Sequence, residues 1–296
     1  MRSPSDSAMA GMNVKRTEAA KVGDIFARRS YENDGFVLPY RIYIPKNYDC
    51  GERYPLLIFL HGAGERGTDN EKQLIHMQYF FNDPTSPVYD AIVLAPQCPE
   101  DSQWVLWPWE KGNYSIEETP ESPGLETLCM LIDECRDFYN IDDDRLYVTG
   151  LSMGGFGTWD LLSRHGARFA AGMPVCGGGD PSYAELLKRI PIRVFHGSED
   201  GAVPVSCSRQ MYAAIRKAGG DLIDYTEFDG EGHGIWGKVY EDRDNIDWLF
   251  AQNLTERRKK AEKKAKIVKI AAISGIGAAL SAVLAAVGIK KAKKKK

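Results

Sequence analysis

The chain has 296 residues, 43% of them hydrophobic, enough to bury one sizeable core, so one large domain is expected rather than two. Its formal net charge of −3 conceals a split: residues 256–296 hold 14 basic and 2 acidic residues, leaving 24 and 39 in residues 1–255, a tail of +12 on a body of −15. The acidic body argues against a nucleic-acid partner, and six cysteines without C-x-x-C spacing and five histidines without ligand spacing indicate neither a disulfide scaffold nor a metal site.

Residues 1–22 read as a polar, flexible segment without the apolar run of a cleaved secretory signal. Asp24 to Pro45 reads as two strands joined by a turn at Asn33-Asp34-Gly35, with Pro39 marking the second as an edge strand. Pro55 to Leu60 is a continuous apolar run, as in a strand covered on both faces, and it leads into the small residues His61-Gly62-Ala63-Gly64. Leu74 to Phe81 is expected to be a short helix, and residues 91–99 another buried strand. Residues 100–124 form a long excursion carrying Trp104, Trp107 and Trp109, which either line a substrate cleft or pack the loop onto the domain.

Leu125 to Phe138 has one apolar face at helical spacing. Leu146–Thr149 reads as a strand and Phe156–His165 as a helix, joined by Gly150-Leu151-Ser152-Met153-Gly154. A strand over 169–179, a short helix near Tyr183–Lys188 and a strand running into His196-Gly197-Ser198-Glu199-Asp200 follow. Ser206–Ala218 is a helix stopped by Gly219-Gly220, residues 222–234 are the last strand and its exit loop, and Asn245–Leu254 is a closing helix. This alternation predicts an α/β fold with a mostly parallel central sheet and helices on both faces, spanning residues 23–255. Reactive groups then belong at the carboxyl ends of the strands.

Four such ends carry candidate chemistry. In the G-x-S-x-G turn the glycines permit a sharp strand-to-helix bend that thrusts Ser152 out beside a helix N-terminus. A hydroxyl needs a base, and His233, between Gly232 and Gly234, is the best placed. His196 is assigned to orienting its loop, and His76 and His165 to structural or surface roles. The carboxylate that fixes the imidazole is Asp200, with Glu199 the competitor and Asp229 and Glu231 behind it. Backbone N–H groups of Met153 and Ala63 would form the oxyanion hole, each worth about 3 kcal/mol in the transition state. Glu65 and Arg66 are expected to pair and brace that loop, with a substrate carboxylate as the other use of Arg66. No cofactor is required.

"FLHGAGERGTDN", "YVTGLSMGGFGTWDL", "VFHGSEDGAVPVSCSRQMYAAIRKAGG" and "TEFDGEGHGIW" resemble the α/β-hydrolase superfamily. More narrowly they resemble its prolyl-oligopeptidase-like, polyhydroxybutyrate-depolymerase-like and feruloyl-esterase-like esterases. The likeness covers residues 25–255 and implies a triad on Ser152, Asp200 and His233, with H-G-A-G as the oxyanion loop. It implies a serine esterase acting through an acyl-enzyme on a small-molecule or glycan ester. A lysophospholipase or thioesterase, a serine peptidase and a non-catalytic binding protein are the alternatives.

Residues 256–296 form a basic linker, an apolar stretch and a lysine-rich end. Ile270 to Ile289 is uncharged for 20 residues, about 30 Å as a helix, so membrane association through 270–289 is expected, and a cytoplasmic location otherwise. An interfacial helix or a helix pairing through small residues are the other readings of this segment.

Overall fold

The apolar runs of the sequence become the inner strands of one eight-stranded sheet. In the computed structural model, which describes residues 22–273, a short helix α1 (Val22–Ile25) leads into β1 (Ala27–Asn33), β2 (Phe36–Tyr43), β3 (Tyr54–Leu60) and β4 (Ile92–Pro96). Then come α2 (Pro123–Phe138), β5 (Ile141–Leu151), α3 (Met153–His165), β6 (Ala171–Val175), α4 (Ala184–Leu187) and β7 (Ile192–Gly197). The chain continues through α5 (Ser206–Lys217), β8 (Ile223–Phe228), α6 (Trp236–Tyr240), α7 (Arg243–Phe250) and α8 (Leu254–Ile273).

The strand order is β1-β2-β4-β3-β5-β6-β7-β8. β1–β2 and β2–β4 are antiparallel and every other pair is parallel. From β3 the chain crosses to β4 on one side, and from β5 to β6 on the other. The connections therefore diverge between β3 and β5, the topological switch where a crevice opens at the carboxyl ends of the strands.

All seven residues of β3 are buried, as a strand sandwiched between two layers must be. Its side chains divide by the pleat. Leu56, Ile58 and Leu60 join a core with Leu125, Phe156, Trp159 and Met211, from α2, α3 and α5. Leu57 and Phe59 join another with Phe80, Tyr240, Ile246 and Leu249, on the α6 and α7 side. The mostly parallel sheet with helices on both faces is thus present.

Several local readings are corrected. β2 lies between β1 and β4, so β1 is the edge strand. Pro39 is tolerated because pairing of β2 with β4 begins only at Tyr40. Residues 74–81 form no single helix; two 3-10 turns occupy Lys72–Leu74 and Met77–Phe80.

The expected C-terminal membrane anchor is also corrected. Among the described residues no helix is long and apolar enough to cross a membrane. α8, which reaches Ile273, carries eight Lys or Arg and two Glu in its 20 residues, and that charge density is incompatible with a hydrocarbon core. Residues 274–289 of the expected span, like the polar segment 1–21, lie outside the described residues. The first turn of α8 is docked on the body: Leu254 is buried, and the Arg257 guanidinium donates to the Phe169 and Ala170 carbonyls, each at 3.2 Å.

Candidate active site

The Ser152 turn sits at the carboxyl end of β5, beside the switch point. Ser152 has φ 56° and ψ −120°, a left-handed conformation that costs a non-glycine residue about 1–3 kcal/mol. The surroundings hold it there. Its N–H donates to the Val175 carbonyl at 2.9 Å, and its own carbonyl accepts from Gly155 at 2.8 Å and Phe156 at 3.1 Å. The flanking glycines are demanded by close approach: a methyl group on Gly150 would run into the Gly154 carbonyl, and one on Gly154 into the Leu60 carbonyl.

Two distant loops converge beside this hydroxyl. His233 Nε2 lies 2.8 Å from Ser152 Oγ, and Nδ1 lies 2.7 Å from Asp200 Oδ2. Asp200 Oδ1 accepts the N–H groups of Ala202 and Val203, both at 2.9 Å, and its side chain is fully buried. Burial alone would raise the Asp200 pKa. The hydrogen bonds from His196, His233 and the two backbone amides outweigh it and hold the carboxyl well below the usual carboxylate range. It is therefore an anion that fixes the His233 tautomer with Nε2 facing the serine. Glu199, Asp229 and Glu231 are not among the partners of His233; Glu231 pairs with Lys238.

Ala63 opens a 3-10 turn, Ala63–Glu65, and Met153 is the first residue of α3. An N–H at the start of a helical turn has no carbonyl one turn back to accept it. The two turns touch. A methyl group on Gly62 would lie 2.9 Å from Leu151 Cδ1, 3.0 Å from Glu65 Oε2 and 3.5 Å from Ser152 Cβ.

His61 anchors the Ala63 loop from below. It is fully buried; Nδ1 donates to the Gly62 carbonyl at 2.6 Å and Nε2 accepts the Cys98 N–H at 2.9 Å. Burial pushes its pKa down to about 4, so the ring is neutral, in keeping with one donor and one acceptor nitrogen.

The tryptophans part company. Trp104 is fully buried, and its indole N–H donates to the His61 carbonyl at 3.1 Å. It belongs to the scaffold beneath the loop, the packing alternative of the two, and is not available to line a cleft. Trp107 and Trp109 are half-buried against the same core, with the Trp107 N–H on the Gly112 carbonyl at 3.0 Å.

The aromatic wall beside His233 comes instead from α6. The Trp236 ring stands edge-on to His233, centroids 5.2 Å apart at 89°, and 5.7 Å from the His76 ring. His76 stacks on Tyr79 at 6.0 Å, and its Nε2 lies 3.7 Å from Glu65 Oε1. Ser152, His233, Trp236, His76, Glu65 and Gly62 thus form a closed ring of neighbours. Glu65 Oε2 and His76 Nδ1 are buried without a hydrogen-bond partner. Sequence reading missed His76 and Trp236; the only signal was that both are chemistry-bearing residues near motif loops. It also paired Glu65 with Arg66, whereas Arg66 donates to the carbonyls of Ala63 at 3.0 Å and Ser102 at 3.2 Å, stapling the Ala63 loop to the tryptophan excursion.

The Esterase family model, described as "Putative esterase", matches residues 38–268. A solved structure of a thermostable esterase is 37% identical, with a TM-score of 0.70 over 78% of this chain and 64% of that one. The bifunctional acetylxylan esterase/xylanase XynS20E of Neocallimastix patriciarum is 34% identical over 161 residues, which is 54% of this chain and 21% of that protein. The chain therefore spans about a fifth of the curated relative it matches. A ferulic acid esterase, 16% identical with a TM-score of 0.57 over 76% of this chain and 98% of that one, shares the fold.

Proposed function

The chain belongs to the esterase family matched over residues 38–268, and from that premise we propose that it is a serine carboxylic-ester hydrolase working through an acyl-enzyme. The observation that carries the reading is His233, within hydrogen-bonding distance of Ser152 Oγ on one ring nitrogen and of Asp200 on the other. Ser152 Oγ attacks the ester carbonyl as His233 Nε2 takes its proton, and the buried Asp200 carboxylate stabilises the imidazolium. The Ala63 and Met153 N–H groups bind the oxyanion. Collapse of the tetrahedral intermediate breaks the bond to the alcohol, which leaves with the proton from His233. Water then attacks the acyl-serine, giving its proton to the same nitrogen; collapse breaks the acyl–Oγ bond, Ser152 Oγ takes that proton back, and the acid departs.

The Trp236 ring, the His76–Tyr79 stack and the Glu65 carboxylate favour an alcohol that offers both an apolar face and hydroxyl groups, such as a sugar. That reading agrees with the glycan ester named for the matched relative. The test is a panel of p-nitrophenyl acyl esters, aryl esters, acylated sugars and lysolipids. Hydrolysis is expected across simple aryl esters, with the highest kcat/KM on acylated sugars. Inert behaviour toward the whole panel would overturn the esterase reading, and a preference for lysolipids would overturn the sugar reading.

A further inference from the structure

α3 begins at the Ser152 turn and ends at His165, about 20 Å away along its axis. A second group of side chains converges at that far end. We propose that Glu121, Cys129 and His165 bind a divalent cation of the zinc type, as three protein ligands with a fourth position open to water.

One carboxylate oxygen of Glu121, the Cys129 sulfur and one ring nitrogen of His165 all lie within 4.8 Å of one another. His165 Nε2 and Glu121 Oε1 are 2.8 Å apart. This is a triangle around one point, not a relay across the ring: a thiol and a carboxylate on opposite nitrogens of one imidazole would stand farther apart. Zinc bonds of about 2.0–2.3 Å to nitrogen, oxygen and sulfur place tetrahedral neighbours about 3.3–3.7 Å apart. The present spacing brackets that range. The His165 and Glu121 side chains are 29% and 24% exposed, so they can rotate to close on an ion and admit it from solvent.

The donor set also selects. Sulfur with imidazole suits zinc and its soft neighbours, whereas calcium and magnesium ask for oxygen alone. Cys129 is a free thiol on α2, His165 lies in the last turn of α3, and Glu121 closes the tryptophan excursion, its backbone bridged to Val105. An ion there would tie the excursion to two helices and so stiffen the segment that Arg66 links to the Ala63 loop. The linear spacing of 121, 129 and 165 matches no metal motif, so the site exists only in the fold. Among the described residues a second trio, Cys176, His196 and Asp200, also has its ligand atoms within 4.8 Å of one another, but its carboxylate already holds His233.

The test uses the full chain, reduced and stripped with chelator, titrated with Co2+ and then Zn2+. One equivalent of Co2+ is expected to give a thiolate-to-metal charge-transfer band that Zn2+ abolishes, and Zn2+ is expected to raise Tm. Cys129→Ser removes the band and His165→Gln weakens Zn2+ binding at least about tenfold, while Cys176→Ser keeps both band and Tm shift. No stoichiometric binding by the wild type, a band that survives Cys129→Ser, or one lost in Cys176→Ser would overturn the proposal. Because the readouts are spectroscopic and thermal, they are independent of the esterase reading.

Discussion

His196 Nε2 lies 3.1 Å from Asp200 Oδ2, the oxygen that His233 also contacts. The His196 ring is fully buried, with Nδ1 2.7 Å from Ser208 Oγ and Nε2 3.1 Å from the Val203 carbonyl. Two histidines therefore share one carboxylate oxygen; one faces the serine, and the other ties the Asp200 loop to α5.

Replacing His196 by alanine leaves Ser208 and Asp200 each short of a buried partner and opens a cavity. We expect a loss of about 2–5 kcal/mol in unfolding free energy by urea titration. The same change lowers kcat more than it raises KM, because the imidazolium of His233 forms only during reaction. An unaltered urea midpoint would show that His196 bears no load.

His61 predicts a pH dependence of stability. Its folded pKa, about 4, is below the ordinary histidine value, so the unfolded chain binds a proton first as pH falls. Stability should therefore decline as pH drops from about 6.5 to about 4, by about 1.4 kcal/mol per pH unit from this group, and level off below. Urea titrations across that window check it: His61→Gln should lack this component of the slope. Asp200 acts lower down. Its depressed pKa gives stability that is present above about pH 4 and lost as pH falls further toward the folded value, a loss that Asp200→Asn should reduce.

Gly62→Ala is expected to lower kcat by about a hundredfold with little change in KM. The added methyl would meet Leu151 Cδ1 at 2.9 Å and Glu65 Oε2 at 3.0 Å, displacing the Ala63 N–H relative to the serine. Steady-state kinetics on an aryl ester separates the two constants, and an unchanged kcat would place the oxyanion donors elsewhere.

The sheet was legible because burial on both faces leaves its mark as unbroken apolar runs, seen in β3 and β4. That Ser152, Asp200 and His233 would meet was legible because acyl-transfer chemistry, which the motifs suggest, needs those residue types at strand ends in that order. What was not legible is direction. Trp104 and Trp236 are the same side chain in glycine- or proline-punctuated stretches of sequence, yet one is sealed beneath the His61 carbonyl and the other, opening α6, faces the imidazole. Only tertiary packing decides between them. The partner of Glu65 proved to be His76, eleven positions on, at the start of the second of two 3-10 turns that stand where one helix was expected.

The central claim is that Ser152 carries the acyl group. Intact-mass analysis after exposure to a serine-directed phosphonate tests it directly, read beside hydrolysis of a p-nitrophenyl ester. The account predicts one adduct, on Ser152, with loss of activity in the wild type, and neither adduct nor hydrolysis in a folded Ser152→Ala variant. An adduct on another residue, or full hydrolysis by Ser152→Ala, would contradict it.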